Sequence, residues 1–165
     1  MRVYFSEILI VLALAPVAAL ITALRYRRLG SWRPAVVEVA AWYGTLPWLA
    51  MVFTPGPGDV SRVNLVPLRD LEALAGAPAR VIVVQMVGNL LVFAAAGFFL
   101  PLRYAALRSV PRMFLLGAAG SAVIETTQYV ARLGRVSSVD DVLINALGAA
   151  LFAAASRPWW RSRES

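Results

Sequence analysis

The chain has 165 residues, of which 60% are apolar and 15% are charged, and its formal net charge is +7. Cysteine, histidine and lysine are all absent, so all sixteen cationic side chains are arginine. This composition excludes a disulfide framework, thiol catalysis, an imidazole base, a Schiff-base lysine and a metal site built from thiolates or imidazoles. The arginines lie in short segments between apolar runs, which favours membrane anchoring over nucleic-acid binding.

Five apolar runs predict five membrane-crossing helices. The first could be mistaken for a secretory signal, but the arginines follow it and no small-residue cleavage site is evident, so we interpret it as a retained helix. The second begins at Pro34, which suits a first helical turn, and carries Glu38 where the helix dipole favours an anion. Residues 54–59 have the proline and glycine content of a loop. The predicted helices span residues 8–24, 34–53, 81–102, 113–131 and 142–156.

The lengths and order of these runs predict the fold class. Most of them approach the roughly 20 residues that a helix needs to cross the hydrocarbon of a bilayer. No internal repeat and no low-complexity linker indicates a second unit. We therefore predict an all-α fold, a polytopic integral membrane helix bundle with about five transmembrane helices, formed by one domain over residues 1–165.

The arginines are divided unevenly between the two sides of this predicted bundle. Ten of the sixteen follow the first and third helices or lie in the C-terminal tail, and most of the loop carboxylates lie on the other side. Because cytoplasmic loops are enriched in arginine, the bias predicts an external N-terminus and a cytoplasmic C-terminus.

Three of the predicted helices carry carboxylates or amides that share a helix face. At a rise of about 1.5 Å per residue, these groups all fall in the outer half of the predicted bundle. Polar side chains at such depths are costly in lipid, so we predict that they meet in one shared polar site. The candidate site residues are Asn89, Glu125, Gln128, Arg135, Asp141 and Asn145, with Gln85, Arg132 and Asp140 as secondary candidates.

Glu125 is the most informative single residue, since an isolated ionised carboxylate at its depth costs a few kcal/mol, roughly 3 on insertion scales. One interpretation is that it pairs directly with Arg132 or Arg135. Another is that it carries a proton. The structural alternative is that it joins helices through Asn89 or Asn145.

The other candidates also have structural interpretations. Asn89 and Asn145 could be hydrogen-bonded clasps between helices, which is a common use of asparagine in membranes. Asp140 and Asp141 lie at a helix start, as does Ser138, and capping is the ordinary use of such residues there. We expect Asp140 to be a cap. Asp141 shares a face with Asn145, so for Asp141 both interpretations stay open.

Taken together, these motifs resemble those of the VanZ-like membrane proteins of bacteria, over residues 63–148. Two positions depart from the family pattern. Leu68 stands where the family has an aromatic residue, and Ala95 stands where it has a proline, so we expect the third helix to be straighter than is usual in the family. The segments that carry the resemblance are Val63-Asn64-Leu65-Val66-Pro67, Gly88-Asn89-Leu90-Leu91-Val92-Phe93, Ile124-Glu125-Thr126-Thr127-Gln128, Gly134-Arg135 and Val139-Asp140-Asp141, with Asn145 and Gly148 following.

The resemblance implies a multi-pass protein of the bacterial cell membrane with a role in the cell envelope. The family is named for a protein linked to resistance to teicoplanin, a glycopeptide that binds cell-wall precursors outside the membrane, and it has no agreed molecular activity. An effect on antibiotic resistance is therefore an expectation from the family name alone.

Three functions fit these observations. The favoured one is a non-enzymatic envelope factor that uses the polar site to bind membrane lipids, a lipid-linked cell-wall precursor or another membrane protein. The second is a proton-coupled small transporter or flippase that uses Glu125, although five short helices without an inverted repeat are few for alternating access. The third is an intramembrane carboxylate-dependent enzyme in which Glu125 and Asp141 act as an acid/base pair.

The remaining expectations concern what the chain binds. A metal held by carboxylate oxygens of Asp140, Asp141 and Glu125 is conceivable for the enzyme hypothesis alone. For the favoured function we predict no catalytic residue, no cofactor, no metal and no nucleic-acid partner. An oligomer stays open, because a dimer could supply helices that one chain lacks.

Overall fold

In a computed structural model, residues 2–56 and 62–161 are described, and nearly all of their regular structure is helical. The all-α class is therefore confirmed. Residues 57–59 of the predicted loop lie outside the described residues. The helices are α1 (Arg2–Leu29), α2 (Trp32–Val52), α3 (Arg69–Ala75), α4 (Ala79–Val92), α5 (Ala94–Arg103), α6 (Val110–Val130), α7 (Val139–Ala155) and α8 (Arg157–Arg161), and the strands are β1 (Arg62–Asn64) and β2 (Val136–Ser138).

Two helical stretches of the described chain are long and apolar enough to cross a membrane, namely Trp32–Val52 and Ala79–Arg103. Their length and composition are consistent with a membrane protein. The stretch Ala79–Arg103 combines α4 and α5, so it corresponds to the third predicted helix. The number of five spans stays a prediction.

The third predicted helix is interrupted at one residue; our expectation from Ala95, which compares this helix with those of the family, stays a prediction. Phe93 separates α4 from α5 with a non-helical backbone (φ −110°, ψ 14°). The N–H of Gly97 donates to the Phe93 carbonyl at 2.8 Å, so α5 begins again at once. The Phe93 ring lies against Gly120 of α6, where an added Cβ would come within 2.9 Å of the ring. Packing between helices, and not a proline, accompanies this interruption.

Small residues form the interfaces between the helices. α7 lies against α4, α5 and α6, and α2 packs on α5. A Cβ added at Gly97 would overlap the backbone of Ala149, and one added at Gly148 would overlap the backbone of Leu90. Such close approach of helix backbones is the usual role of glycine at membrane helix interfaces. Gly117 of α6 likewise faces α7, since an added Cβ would come within 2.8 Å of the Ala149 side chain.

Large apolar side chains lie on the outside of the bundle and small ones inside. In α6, Ser121 is fully buried whereas Val123 is 66% exposed. In α7, Ala146 and Ala149 are buried whereas Leu147 is 47% exposed. A water-soluble domain has the opposite arrangement, and exposed apolar faces of this extent are typical of surfaces that contact lipid.

A short parallel strand pair, which the sequence analysis did not predict, joins two loops at one end of the bundle. β1 pairs with β2 so that Val63 lies opposite Ser137 and Asn64 lies opposite Ser138. The pairing brings the segment before α3 to the first turn of α7. We call this end, with β1, β2, α3 and the start of α7, the polar end.

The opposite end holds a buried ion pair. Glu38 of α2 is 6% exposed, and it pairs with Arg25 of α1 and, at 3.7 Å from its Oε2, with Nε of Arg103 in α5. Because α2 begins at Trp32, Glu38 lies beyond its first turn, where the effect of the helix dipole has fallen off, and its observed partners are two guanidinium groups. We call this end, where α1 and α5 finish, the basic end.

Candidate functional site

Asp140 caps a helix, but not the helix that contains it. Its Oδ1 accepts the N–H of Leu68 at 2.6 Å, and its Oδ2 accepts the N–H groups of Asp70 at 2.9 Å and Leu71 at 3.3 Å. These are donors at the start of α3, which would otherwise lack partners. Ser138 caps α7 instead, since its Oγ accepts the Asp140 N–H at 3.1 Å. Our expectation that Asp140 caps its own helix is wrong.

The segment between β1 and α3 is held in an unusual conformation. Leu68 has φ 68°, in the left-handed region, which costs about 1–2 kcal/mol for a residue with a side chain. Asn64 steadies the segment, because its Oδ1 accepts the Val66 N–H at 3.2 Å and its Nδ2 donates to Asp70 Oδ1 at 2.7 Å. Asn64, in the Asn-Leu-Val-Pro element of the family resemblance, therefore fixes the position of Asp70 through its hydrogen bonds.

Asn89 and Asp141 meet directly. Asn89 Nδ2 of α4 donates to Asp141 Oδ1 of α7, and both side chains are half-buried. The Asp141 carboxylate also interacts electrostatically with Asp70, Asp140 and Arg135. The third and fifth predicted helices thus bring Asn89 and Asp141, two of the six candidate residues, together.

Glu125 of α6 faces the start of α7. Its Oε2 accepts the Ser138 N–H at 3.1 Å, and its backbone carbonyl accepts the Ser137 hydroxyl at 2.8 Å. Its carboxylate interacts electrostatically with Asp141 and Arg135. In the part of the chain that the structure describes, no arginine nitrogen lies within 4 Å of it. The hypothesis of a direct ion pair with an arginine is therefore wrong.

Gln128 and Arg135 both hold the end of α2. Gln128 is buried, and its Nε2 donates to the Val52 carbonyl at 2.7 Å. Arg135 Nε donates to the Thr54 carbonyl at 3.1 Å. The Val52 carbonyl is at the C-terminus of α2, where carbonyls have no partner within the helix, and Thr54 lies two residues beyond that end. Gln128 is thus occupied by a structural role, whereas Arg135 also contributes charge to the site.

Asn145 lies deeper in the bundle and joins α7 to α6. It is 3% exposed, and its Nδ2 donates to Ser121 Oγ at 2.7 Å. Its Oδ1 is buried, and no hydrogen-bond donor for it is found among the described residues. The interpretation of Asn145 as an interhelical clasp is confirmed, and it does not bond to Glu125 or Asp141.

The two remaining secondary candidates lie outside the site. Gln85 is exposed on α4, one turn before Asn89. Arg132 is exposed just after α6, with φ 52°. Within the described residues, no hydrogen bond joins either side chain to Glu125 or Asp141.

The site that results is an acidic cluster at the polar end, formed by Asp70, Asp140, Asp141 and Glu125. Asp70 and Asn64 belong to it and were missed as site residues, although Asn64 stands in a motif of the family resemblance. Arg135 is the cation that interacts with this cluster electrostatically. Among the described residues, no three carboxylates are arranged to hold a metal ion. The cluster can accept hydrogen bonds from hydroxyl, amide or ammonium groups.

A groove of about 340 Å³ lies beside the acidic cluster and has Glu125 in its wall. Its polar lining comes from Glu125, Ser137 and Ser138, where β2 meets α7. The surface of the groove is almost entirely apolar, and Glu125 is the acidic residue in its lining. The other lining residues are Val63, Leu65, Ala122, Thr126, Tyr129, Val139 and Val142.

Comparison with known proteins agrees with the motifs. A family model described as VanZ/LLP1 matches residues 40–160, a range that contains the acidic cluster and the groove and leaves out α1. No curated protein and no solved structure matches the chain. The match covers well over half of the sequence, and the motifs that suggested the family supply three of the four carboxylates of the cluster, Glu125, Asp140 and Asp141. This chain belongs to the VanZ/LLP1 family.

Proposed function

We propose that this protein is a multi-pass membrane protein of the cell envelope that binds the polar head of a lipid-linked molecule at its outer face, without catalysing a reaction. The observation that carries the proposal is the groove beside Glu125, whose walls are mainly apolar and whose lining includes this one carboxylate of the acidic cluster. An amphipathic molecule needs both surfaces, because its chain must stay in lipid while its head finds hydrogen-bond partners.

The proposed membrane placement has five spans, formed by α1, α2, α4 with α5, α6 and α7. Two of these, α2 and the stretch formed by α4 and α5, are long and apolar enough to cross a membrane. Exposed leucines and valines on α6 and α7, with small residues buried, support the same environment for those helices. The arginine bias supports a cytoplasmic basic end and hence an external polar end.

The chemistry of the groove favours a head group rich in hydrogen-bond donors. An ionised Glu125 only accepts hydrogen bonds, and Asp141 lies close enough to add negative potential. A bare phosphate beside Glu125 is disfavoured by this charge, whereas hydroxyl, amide and ammonium groups are favoured. The sugar and peptide part of a lipid-linked cell-wall precursor has these donors. Binding of such a precursor would also give the family's association with teicoplanin a physical basis, since that drug recognises the same molecules.

The proposal is tested with purified protein in nanodiscs and a lipid-linked cell-wall precursor as the probe. Ala122→Trp fills the groove, and Ala119→Trp places the same bulk on an exposed position one turn away on α6 that does not line it. We expect Ala122→Trp to weaken binding by about tenfold or more, equivalent to about 1.4 kcal/mol, and Ala119→Trp to bind like the wild type. Equal affinity of the wild type and Ala122→Trp would contradict the proposal.

A proton-coupled flippase is the second candidate, and the interacting carboxylates of Glu125 and Asp141 on two helices favour it. It differs from simple binding in one measurable way. Reconstituted protein would move a labelled lipid between leaflets at a rate that depends on a pH gradient and falls in Glu125→Gln. A lipid transfer rate equal to that of protein-free vesicles would exclude the flippase and favour the binding function.

A further inference from the structure

A second groove lies between α1 and α2, and it ends at the buried ion pair of the basic end. It has a volume of about 230 Å³ and apolar walls from both helices, with Arg25 and Glu38 at one end. α1 packs mainly on α2, so the groove lies at the edge of the bundle. From Leu14 to Arg25 it follows eleven residues of α1, which is about 16 Å at the rise of an α-helix.

The charge at the end of this groove is positive. Glu38 is one anion between two guanidinium groups, those of Arg25 and Arg103. The Arg25 side chain is 40% exposed, so it can reach a ligand outside while it holds Glu38. Nε of Arg103 is buried and has no hydrogen-bond partner among the described residues. Further arginines at positions 27, 28 and 33 are near this end in the sequence, but they do not line the groove.

We propose that the groove between α1 and α2 binds an anionic phospholipid, with one acyl chain along the apolar walls and the phosphate at Arg25. Guanidinium groups bind phosphate oxygens in a bidentate manner, and the length of the groove suits a large part of one acyl chain. Charge complementarity identifies the occupant, because the groove is apolar along its length and cationic only at its end. The bound lipid joins α1, which lies outside the range matched by the family model, to the rest of the bundle.

This inference rests on the membrane placement proposed above, but not on the groove at the polar end. The two proposals can therefore fail independently, because the probes differ and no residue is shared between the two grooves. The polar-end groove is tested with a lipid-linked precursor, and the present groove with phosphatidylglycerol.

The experiment measures lipid retention by native mass spectrometry and the midpoint of thermal unfolding in nanodiscs of phosphatidylglycerol or phosphatidylcholine. The wild type retains one phosphatidylglycerol and unfolds at a higher temperature in the anionic discs. Arg25→Gln loses this difference and retains about tenfold less lipid. Arg28→Gln removes the same charge from an exposed position at the same end, and it keeps both the retained lipid and the higher unfolding temperature in anionic discs. Equal losses in the two variants would overturn the proposal, because they would indicate unspecific attraction.

A second pair of variants leaves the ion pair intact, in case Arg25→Gln folds poorly. Ala18→Trp fills the groove, and Ala19→Trp puts the same side chain on an exposed position of α1 that does not line it. We expect Ala18→Trp alone to lose the retained lipid. Stabilisation by inorganic phosphate equal to that by phosphatidylglycerol, or a dimer that forms in place of lipid retention, would overturn the assignment.

Discussion

Two neighbouring aspartates in this protein have different tasks. Asp140 is 1% exposed and accepts three backbone N–H groups from the start of α3, so it fixes the loop. Asp141 is half-buried, bonds to Asn89 and faces the acidic cluster. The first is a structural anchor across about seventy residues of sequence, and the second is the one that we propose to contribute to ligand binding.

The first prediction separates these tasks by substitution. Asp140→Asn removes charge from three hydrogen bonds, so we expect a loss of about 1.5–3 kcal/mol in the free energy of unfolding, the usual worth of a bond to a charged group. Glu72→Gln, on an exposed face of α3, serves as the control and should change the free energy of unfolding little. The measurement is unfolding in detergent followed by circular dichroism. Equal effects of both variants would show that the cap of α3 contributes nothing.

The second prediction concerns ligand binding. Asp141→Asn keeps an acceptor for Asn89 but removes a negative charge from the cluster, so the fold should persist while affinity for a lipid-linked precursor falls by about tenfold. Precursor titration in nanodiscs measures the affinity, and the unfolding midpoint serves as the control. Unchanged affinity would remove Asp141 from the site.

At the scale of helices, close backbone contact decides which glycines matter. Gly148 of α7 lies directly against the backbone of Leu90 in α4, whereas an added Cβ at Gly88 in α4 meets open space. The contact at Gly148 lies about two turns along α7 from the bond between Asn89 and Asp141. The face of α7 that carries small residues therefore also sets the distance between α7 and α4 at the site.

The third prediction follows from this difference. Gly148→Ala must push α4 away from α7, so we expect a loss of stability of about 1–3 kcal/mol, the usual cost of overpacking. Gly88→Ala should be neutral or stabilising by about 0.5–1 kcal/mol, because alanine is the better helix former. Thermal unfolding of the two variants compares them directly. A stable Gly148→Ala beside a destabilised Gly88→Ala would contradict the helix packing described.

Much of this helical architecture is predictable from the sequence, and the reasons are local. The period of polar residues in α6 and α7 identified the faces that meet. The capping of α3 by Asp140 was not predictable, because it depends on the approach of segments about seventy residues apart. The interruption at Phe93 lacks a proline, and the strand pair has three residues a side, so neither gives a clear local signal.

On the scale of the whole molecule, charge is divided between the two ends. The polar end carries the acidic cluster, and the basic end carries a carboxylate enclosed by guanidinium groups. Between them, exposed leucines and valines cover helices with small residues inside. This distribution is the physical basis for the proposed placement in a bilayer and for its direction.

The fourth prediction tests that direction. The chain has no cysteine, so the labelling of an introduced cysteine by a maleimide reports the side of the membrane on which that position lies. We expect Glu72→Cys at the polar end to react with a membrane-impermeant maleimide in intact cells. Ser31→Cys at the basic end should react only after the membrane is permeabilised. Reversed labelling would place the acidic cluster on the cytoplasmic side.

The most direct test of the central claim is a footprint of the groove at the polar end. Thr126 lines the groove and Thr127 does not, although both are exposed and both donate to the carbonyl four residues earlier. In nanodiscs, a lipid-linked cell-wall precursor should slow the maleimide labelling of Thr126→Cys by about tenfold and leave that of Thr127→Cys unchanged. Equal labelling rates of Thr126→Cys with and without the precursor would contradict the claim that this groove binds it.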